Sequence, residues 1–182
     1  MTLARERRLC WLVAGAVFAL DQATKWWVAT SLTLWTERVP VIPGFFDLVH
    51  YLNKGAAFGF LNDAEGWGTV LFTCIALAAM GLLGWGIWRE QGLLPGGGMR
   101  MRLGLALLLG GTAGNLLDRL RLGAVVDFLD VYVNDWHWPA FNVADSAITV
   151  GCLGLIWLVA TTPVSPETTG RSAADASRKD DA

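Results

Sequence analysis

The sequence has few charged residues for its length, and those residues show no basic excess. Only 16% of the 182 residues are Asp, Glu, Lys or Arg, and the formal net charge is -2. Nucleic-acid binding requires a basic surface, so this class of function is excluded. Hydrophobic residues make up 54% of the chain and the mean hydropathy is +0.44, which is typical of a membrane protein.

Cysteine and histidine are also scarce. Cys10, Cys74 and Cys152 lie in separate apolar segments without metal-ligand spacing or a clear disulfide partner, so we interpret them as packing residues. His50 and His137 fall in predicted exterior loops. The chain therefore offers no convincing nucleophile built from Cys, His or Ser, and we expect no metal and no cofactor.

Four apolar stretches approach the roughly 20 residues that a helix needs to span a bilayer. They predict membrane spans over residues 9–28, 67–88, 101–117 and 141–160. The expected fold class is an all-α membrane protein, a four-transmembrane-helix bundle formed by a single integral membrane domain over residues 1–161. The tail, 162–182, is rich in Ser, Thr, Ala and charges of both signs, which predicts a disordered segment.

Lys and Arg are distributed unevenly between the loops. They concentrate before the first span and between the second and third spans, at Arg5, Arg7, Arg8, Arg89, Arg100 and Arg102. Short loops rich in Lys and Arg stay in the cytoplasm. We therefore expect both termini in the cytoplasm and the first and third loops outside.

This orientation brings acidic and amide side chains together at the outer membrane face. Asp21 lies in the outer half of the first span, and Asn115 and Asp118 lie at the outer end of the third. Asn142 and Asp145 lie near the outer start of the fourth span. Residues three apart share a side of a helix, so both Asn-x-x-Asp pairs can point toward one common site.

A further aspartate reaches the same face from the loop after the third span. In VVDFLDVYV, residues 125–133, an extended conformation would place Asp127 and Asp130 on opposite faces. An apolar setting disfavours the charged form of a carboxyl group, so it would raise the pKa of an aspartate placed there.

Four motifs occur in order along the chain and together carry a family resemblance. DQATKWWV (21–28), NKGAAFG (53–59), GGTAGNLLDRLRLGAVVDFLDVY (110–132) and FNVADSAI (141–148) resemble the bacterial lipoprotein signal peptidase family, also called signal peptidase II. The resemblance implies an intramembrane aspartic endopeptidase of the bacterial inner membrane. Such an enzyme removes signal peptides from diacylglyceryl-modified prolipoproteins by cutting just before the lipidated cysteine.

The resemblance also implies the residues of the site. By position, Asp127 and Asp145 match the catalytic pair of the family. The supporting motif residues are matched by Asp21, Asn53, Gly111, Asn115, Asp118, Arg119, Asn142 and Ala144. Two features depart from the family pattern: Gly59 stands where a small hydroxyl residue is expected, and the tail is less basic than usual.

Outside the membrane, the resemblance implies a small extracytoplasmic β-sheet and a short surface helix near the site. Residues 39–53 and 133–141 would supply these pieces. It further implies that membrane lipid surrounds the enzyme and that globomycin, a cyclic peptide antibiotic, inhibits it.

Peptide hydrolysis by two carboxyl groups requires different protonation states. One must be ionised to take a proton from water, and the other must be protonated to hydrogen-bond the scissile carbonyl and then supply the leaving amine. Two aspartates brought close together share one proton and titrate as a unit. No covalent intermediate is required.

Several of the polar residues also have structural interpretations. Asp118 could form an ion pair with Arg119 or Arg121, or it could contact substrate. Asp21 could hold the substrate backbone or brace Asn53, whereas Asn142 is expected to orient a carboxylate. Aspartates predicted only to cap a helix or to be solvated in a loop are Asp47, Asp63, Asp130 and Asp135.

Three other classes of protein would also place acids near a membrane. A small transporter or channel would use them as a proton or cation path, but here they crowd one face and the spans show no internal repeat. A metal-dependent hydrolase would use the Asp and Asn oxygens as ligands for a hard cation. A structural scaffold would leave the two Asn-x-x-Asp pairs unexplained.

Overall fold

The structure is a computed structural model, and it describes residues 2–55, 67–89 and 98–162. Four helices occur in this part of the chain: α1 (Leu3–Ser31), α2 (Trp67–Trp88), α3 (Gly98–Leu122) and α4 (Val143–Thr161). Gly59, Asp63 and nearly all of the tail predicted to be disordered lie outside the described residues.

The helices contain the four predicted spans, with small differences at their ends. Both α1 and α3 continue beyond the apolar segments through charged turns, which hydropathy does not report. Helix α4 begins at Val143 and not at 141, because Asn142 is its N-cap. The Asn142 side chain accepts the Asp145 N–H, and the Asp145 carboxylate accepts the Asn142 N–H, which together form a capping box.

Two of the four helices are long and apolar enough to cross a membrane by length and composition, at residues 68–88 and 143–161. Helices α1 and α3 carry more charged residues, including Lys25 and Arg102. The chain is thus mostly helical, with apolar helices suited to a membrane. A membrane-spanning role for α1 and α3 stays a prediction.

A small antiparallel sheet accompanies the helices. Its four strands, in the spatial order β1-β2-β3-β4, are β1 (Arg38–Ile42), β2 (Phe46–Asn53), β3 (Val125–Val133) and β4 (Trp136–His137). A bulge in β2 between Leu48 and Tyr51 shifts its register against β3. His50 lies in β2, between α1 and α2, and His137 lies in β4, between α3 and α4.

The expected surface helix does not form in residues 133–141. Asn134 adopts a left-handed conformation (φ 53°), and a two-residue turn joins β3 to β4. The following residues, 138–140, have no regular secondary structure, and Phe141 forms a bridge with Leu129 of β3. No short surface helix lies beside the sheet among the described residues.

Helix α3 is central and packs against α1, α2, α4 and β3. Gly110 and Gly114 face α1, and a Cβ on Gly114 would collide with the Asp21 carboxylate. A Cβ on Gly111 would meet the backbone of Ala144 in α4. These glycines therefore allow both neighbouring helices to approach α3 closely at the end that carries the polar residues.

One apolar cluster fills the space between α1, α2 and α3. Its buried members are Cys10, Ala14, Ile87, Met101, Leu105, Ala106 and Leu109. Cys10 is thus a packing residue, whereas Cys74 and Cys152 are exposed on their helices, where packing does not explain them.

Candidate active site

Asp127 lies on β3, directly after a sharp turn out of α3. Gly123 ends the helix in a left-handed conformation (φ 66°), and its N–H bonds to the Arg119 carbonyl at 3.0 Å. The strand contacts α1 and α3. Asp127 is buried within it, with only 3% of its surface exposed.

Two side-chain amides bind the Asp127 carboxyl group. Asn53 Nδ2 donates to Oδ2 at 2.9 Å, and Asn142 Nδ2 donates to Oδ1 at 2.8 Å. Burial raises the pKa of Asp127 to about 7. The Asn53 hydrogen bond opposes this rise, and the nearby charge of Asp145 adds to it.

Asp145 occupies the first turn of α4. Its Oδ1 accepts a hydrogen bond from Asn115 Nδ2 at 2.7 Å, and its Oδ2 accepts the Asn142 N–H at 3.3 Å. The amino end of a helix favours negative charge because its free N–H groups point toward the carboxylate. Asp145 is therefore held by one side-chain amide and by the amino end of α4.

Two asparagines connect the two carboxyl groups. Asn142 is fully buried, and its Nδ2 contacts both Asp127 and Asn115 Oδ1, the latter at 3.2 Å. Asn115 in turn donates to Asp145. The structure thus brings Asp127 and Asp145 to the two ends of a short chain of amides.

Lys25 completes this cluster, and our reading of the sequence did not single it out. It is 3% exposed, and its Nζ lies 2.9 Å from Asp21 Oδ2, 2.9 Å from Asp118 Oδ2 and 2.8 Å from Asn115 Oδ1. The sequence did contain an indication of this contact. Lys25 follows Asp21 by four residues on an apolar helix, a spacing that allows an ion pair.

The predicted ion pair between Asp118 and Arg119 or Arg121 is wrong. Asp118 binds Lys25, the Gln22 side chain and the Val126 N–H. Successive residues of a helix point in different directions. Asp118 consequently faces α1, while the next residue, Arg119, lies over the Phe72 ring of α2 at 5.3 Å.

Asp21 is fully buried and contacts the protein's own backbone. Its Oδ1 accepts the Ala144 N–H at 2.9 Å, at the amino end of α4. Its carboxylate has no exposed surface, and Asn53, which it could have braced, donates to Asp127. Ala144 is itself fully buried, and a Cβ added at Gly111 would lie 2.5 Å from its backbone oxygen.

A second polar cluster lies around β3, apart from the first. Asp47 and Asp130 are buried there, so their expected role as solvated loop residues is wrong. Arg38 Nη1 lies 2.8 Å from Asp130 and 3.4 Å from Asp47, and His137 Nδ1 lies 3.0 Å from Asp130. Of Asp47, Asp130 and Asp135, which the structure describes, only Asp135 is exposed as predicted.

Comparisons with known proteins agree on one family. A family model described as signal peptidase (SPase) II matches residues 13–161. The chain is 48% identical over 149 residues to a lipoprotein signal peptidase of Solibacter usitatus (strain Ellin6076), covering 81% of this chain and 88% of the relative. It is 46% identical over 155 residues to a lipoprotein signal peptidase of Pseudoalteromonas atlantica, covering 84% and 87%.

The fold is similar to that of a solved protein. A structure described as a bacterial membrane enzyme superposes with a TM-score of 0.74 at 29% identity. The matched region covers 85% of this chain and 94% of that chain.

Proposed function

The chain belongs to the signal peptidase II family, and we propose that it is an intramembrane aspartic endopeptidase that removes signal peptides from diacylglyceryl-modified prolipoproteins. The scissile bond would be the one just before the lipidated cysteine. The observation that carries this proposal is the meeting of Asp127 and Asp145, from a strand and a helix, on one chain of buried amides.

Asp127 is suited to be the protonated member of the pair. Burial raises its pKa to about 7, and its two side-chain partners, Asn53 and Asn142, are neutral. A carboxylic acid in this state can hydrogen-bond the scissile carbonyl and then supply a proton to the leaving amine. Activity should therefore decline as the pH rises above about 7.

Asp145 is suited to be the ionised member. It lies at the amino end of α4, accepts an amide hydrogen bond from Asn115, and shares the site with the cation of Lys25. An ionised carboxylate can take a proton from water, whose oxygen then attacks the scissile carbonyl. The two carboxyl groups have different hydrogen-bond partners, which supports assigning them different protonation states.

The lipid of the substrate would fix the depth of the scissile bond. Each buried CH₂ group of an acyl chain contributes about 0.8 kcal/mol to membrane binding, so a diacylglyceryl group anchors its cysteine at the membrane surface. A catalytic pair at the outer surface would meet the peptide bond next to that cysteine. We also expect inhibition by globomycin, as the family resemblance implies.

We further propose that residues 1–161 form one domain of the bacterial inner membrane with both termini in the cytoplasm. Support comes from six arginines at or beyond the helix ends far from Asp127: Arg5, Arg7, Arg8, Arg89, Arg100 and Arg102. Reporter fusions should read cytoplasmic at residue 96 and exterior at Asn134. An exterior reading at residue 96 would contradict this arrangement.

Cleavage of a defined substrate tests the proposed activity. The purified protein in detergent is incubated with a diacylglyceryl-modified prolipoprotein and with its unlipidated form, each with and without a chelator. We expect the shortened product from the lipidated form under both conditions, and little from the unlipidated form. Equal cleavage of the two forms would contradict the role of the lipid, and loss of cleavage with chelator would favour a metal-dependent hydrolase.

A further inference from the structure

Two buried carboxylates each hold the backbone N–H group that precedes one member of the proposed catalytic pair. Asp118 Oδ2 accepts the N–H of Val126 at 3.1 Å, one residue before the aspartate of β3. Asp21 Oδ1 accepts the N–H of Ala144 at 2.9 Å, one residue before the aspartate of α4. Neither carboxylate touches the catalytic carboxyl groups directly in the contacts described above, yet each fixes the chain beside one of them.

A single ammonium group joins these two carboxylates. Lys25 Nζ lies 2.9 Å from an oxygen of Asp21 and 2.9 Å from an oxygen of Asp118. Its third hydrogen bond goes to Asn115 Oδ1 at 2.8 Å. An ammonium group has three N–H donors, so all three are engaged, one with each of these residues.

We propose that Lys25 is the positioning residue of this site: it sets the separation between the β3 and α4 segments that carry the catalytic pair, by binding both Asp21 and Asp118, and it orients Asn115 toward Asp145. This inference rests on the proposed function, since it takes Asp127 and Asp145 as the groups that act on substrate. Lys25 itself contacts neither of them and acts through its three partners.

The physical need for a cation at this position follows from burial. Two carboxylates close together in a poorly solvated interior repel each other, and each would move apart or take up a proton. Either response weakens the hydrogen bond that the carboxylate accepts from the backbone N–H group. Gly114 brings the groups within reach, because the absence of a side chain lets the Asp21 carboxylate lie against α3.

The orientation of Asn115 depends on the same contact. Its carbonyl oxygen faces Lys25, so its NH₂ group must face the opposite side, where it donates to Asp145 Oδ1. Asn142 Nδ2 also donates to this oxygen, at 3.2 Å. The ammonium group and Asn142 therefore act together to keep the NH₂ group of Asn115 directed toward Asp145.

The simpler alternative is that Lys25 only neutralises buried acid. A pair of variants separates the two roles. Lys25→Met removes the ammonium group and leaves both carboxylates without their shared partner, whereas Lys25→Met combined with Asp118→Asn restores the net charge that the wild-type cluster has. In that double variant the side chain at 118 can still accept the Val126 N–H, but nothing joins it to Asp21.

Steady-state cleavage of the lipidated prolipoprotein, at matched amounts of folded protein, provides the first measurement. We expect kcat to fall by about a hundredfold in both variants, because a displacement of about 1 Å between reacting groups has an effect of this size. KM should change less than about threefold, since no contact with substrate is lost. Recovery of kcat in the charge-restored double variant would overturn the proposal.

The pH dependence of kcat provides a second measurement. A smaller amount of folded protein would lower the rate at every pH but would not shift this dependence. Burial is the main influence on the pKa of Asp127, and the charge of Lys25 lowers that pKa. Removing the cation should move the profile to higher pH. The other charged groups facing the site are Asp21, Asp118, Asp145 and Arg119, and all of them remain in Lys25→Met. An unchanged profile in Lys25→Met would count against the proposal.

Arg102→Met is the matched control. Arg102 is also a buried cation, and it pairs with Glu6 at 2.6 Å near the opposite ends of α1 and α3. Its loss should lower stability to a similar degree, because it also leaves a carboxylate without its partner. Its kcat and pH profile should match the wild type once the amount of folded protein is matched.

Hydrogen exchange tests the positioning role without any cleavage. The amides of Val126 and Ala144 should exchange about tenfold faster or more in Lys25→Met, because both of their acceptors are loosened. In Arg102→Met they should exchange as in wild type. If the wild-type protein does not cleave the prolipoprotein, the proposed function fails, and the exchange rates still decide whether Lys25 holds the two segments.

Discussion

Asp127 and Asp130 lie three residues apart on β3 and are about equally buried, with 3% and 2% of their surfaces exposed. Their partners differ completely. Asp127 accepts hydrogen bonds from the neutral amides of Asn53 and Asn142. Asp130 lies against the cation of Arg38 at 2.8 Å and against His137 at 3.0 Å.

This difference shows that burial alone does not make a carboxyl group reactive. Arg38 supplies Asp130 with a full opposite charge, so the two side chains form an ion pair. Neutral amides hold a carboxyl group in place without a full compensating charge, so its protonation can change during a reaction. The surroundings of Asp127 suit proton transfer, and those of Asp130 suit the joining of strands.

The largest expected effect tests the comparison directly. Asp127→Asn keeps the shape of the side chain but removes the ionisable group, so the cleavage rate should fall by at least about 10³-fold. Asp130→Asn should keep activity within a few-fold of wild type. The initial rate of signal-peptide release, at matched amounts of folded protein, measures both. An inactive Asp130→Asn beside an active Asp127→Asn would mean that the wrong acid of β3 had been chosen.

Removing one amide donor should have an intermediate effect. Asn53→Leu deletes the hydrogen bond to Asp127 Oδ2, which both positions the carboxyl group and lowers its pKa. We expect kcat to fall by about 10- to 100-fold and the pH profile to move upward. A profile of wild-type shape and position, with only the amplitude reduced, would show that Asn53 acts on folding and not on Asp127.

The partners of Asp130 should affect stability more than rate. Asp130→Asn weakens the contacts with Arg38 and His137, and we expect a loss of about 1 to 2 kcal/mol in the free energy of unfolding. The estimate is modest because the Arg38 side chain is 44% exposed. Thermal unfolding in detergent measures this loss. Unchanged stability would remove the structural role that we assign to the second cluster.

The smallest expected effect concerns pH and stability. Burial raises the pKa of Asp127 from 3.8 to about 7, so the native state binds this proton more tightly than the unfolded chain does. Protonation of Asp127 therefore stabilises the native state fully below the pKa of the unfolded chain. This stabilisation is lost as the pH rises through about 7.

Asp127→Asn, which carries no charge, should consequently be more stable than wild type at about pH 8 and should lose that advantage near pH 4. Thermal unfolding at the two pH values measures the difference. Asp130→Asn should show the opposite sign at about pH 8. A lower stability of Asp127→Asn at that pH would contradict the cost that we assign to its buried charge.

Local patterns predicted the helices well and their charged ends poorly. The apolar run at 67–88 matches α2, while α1 and α3 extend past their apolar segments. Hydropathy marks the part of a helix that suits lipid, and hydrogen bonding continues the helix into charged turns. Asn142 and Asp145 were assigned to one side of a helix, and they form the cap that begins α4.

Partner choice was harder to predict than placement. For Asp118 the sequence suggested an ion pair with Arg119 or Arg121, or a contact with substrate, but its cation is Lys25 on another helix. Likewise, alternation separated Asp127 from Asp130, but the burial of Asp130 depends on Arg38 from a different strand. Contacts between distant segments depend on the packing of the whole fold, which local periodicity does not contain.

A double-mutant cycle on Asp127 and Asp145 tests the central claim most directly. The initial rate of signal-peptide release from a diacylglyceryl-modified prolipoprotein is measured for wild type, Asp127→Asn, Asp145→Asn and the double variant, at matched amounts of folded protein. If the two carboxyl groups act as one catalytic unit, each single change should abolish cleavage and the double variant should be scarcely slower than either. Substantial turnover by either single variant, or losses that multiply in the double variant, would contradict the account.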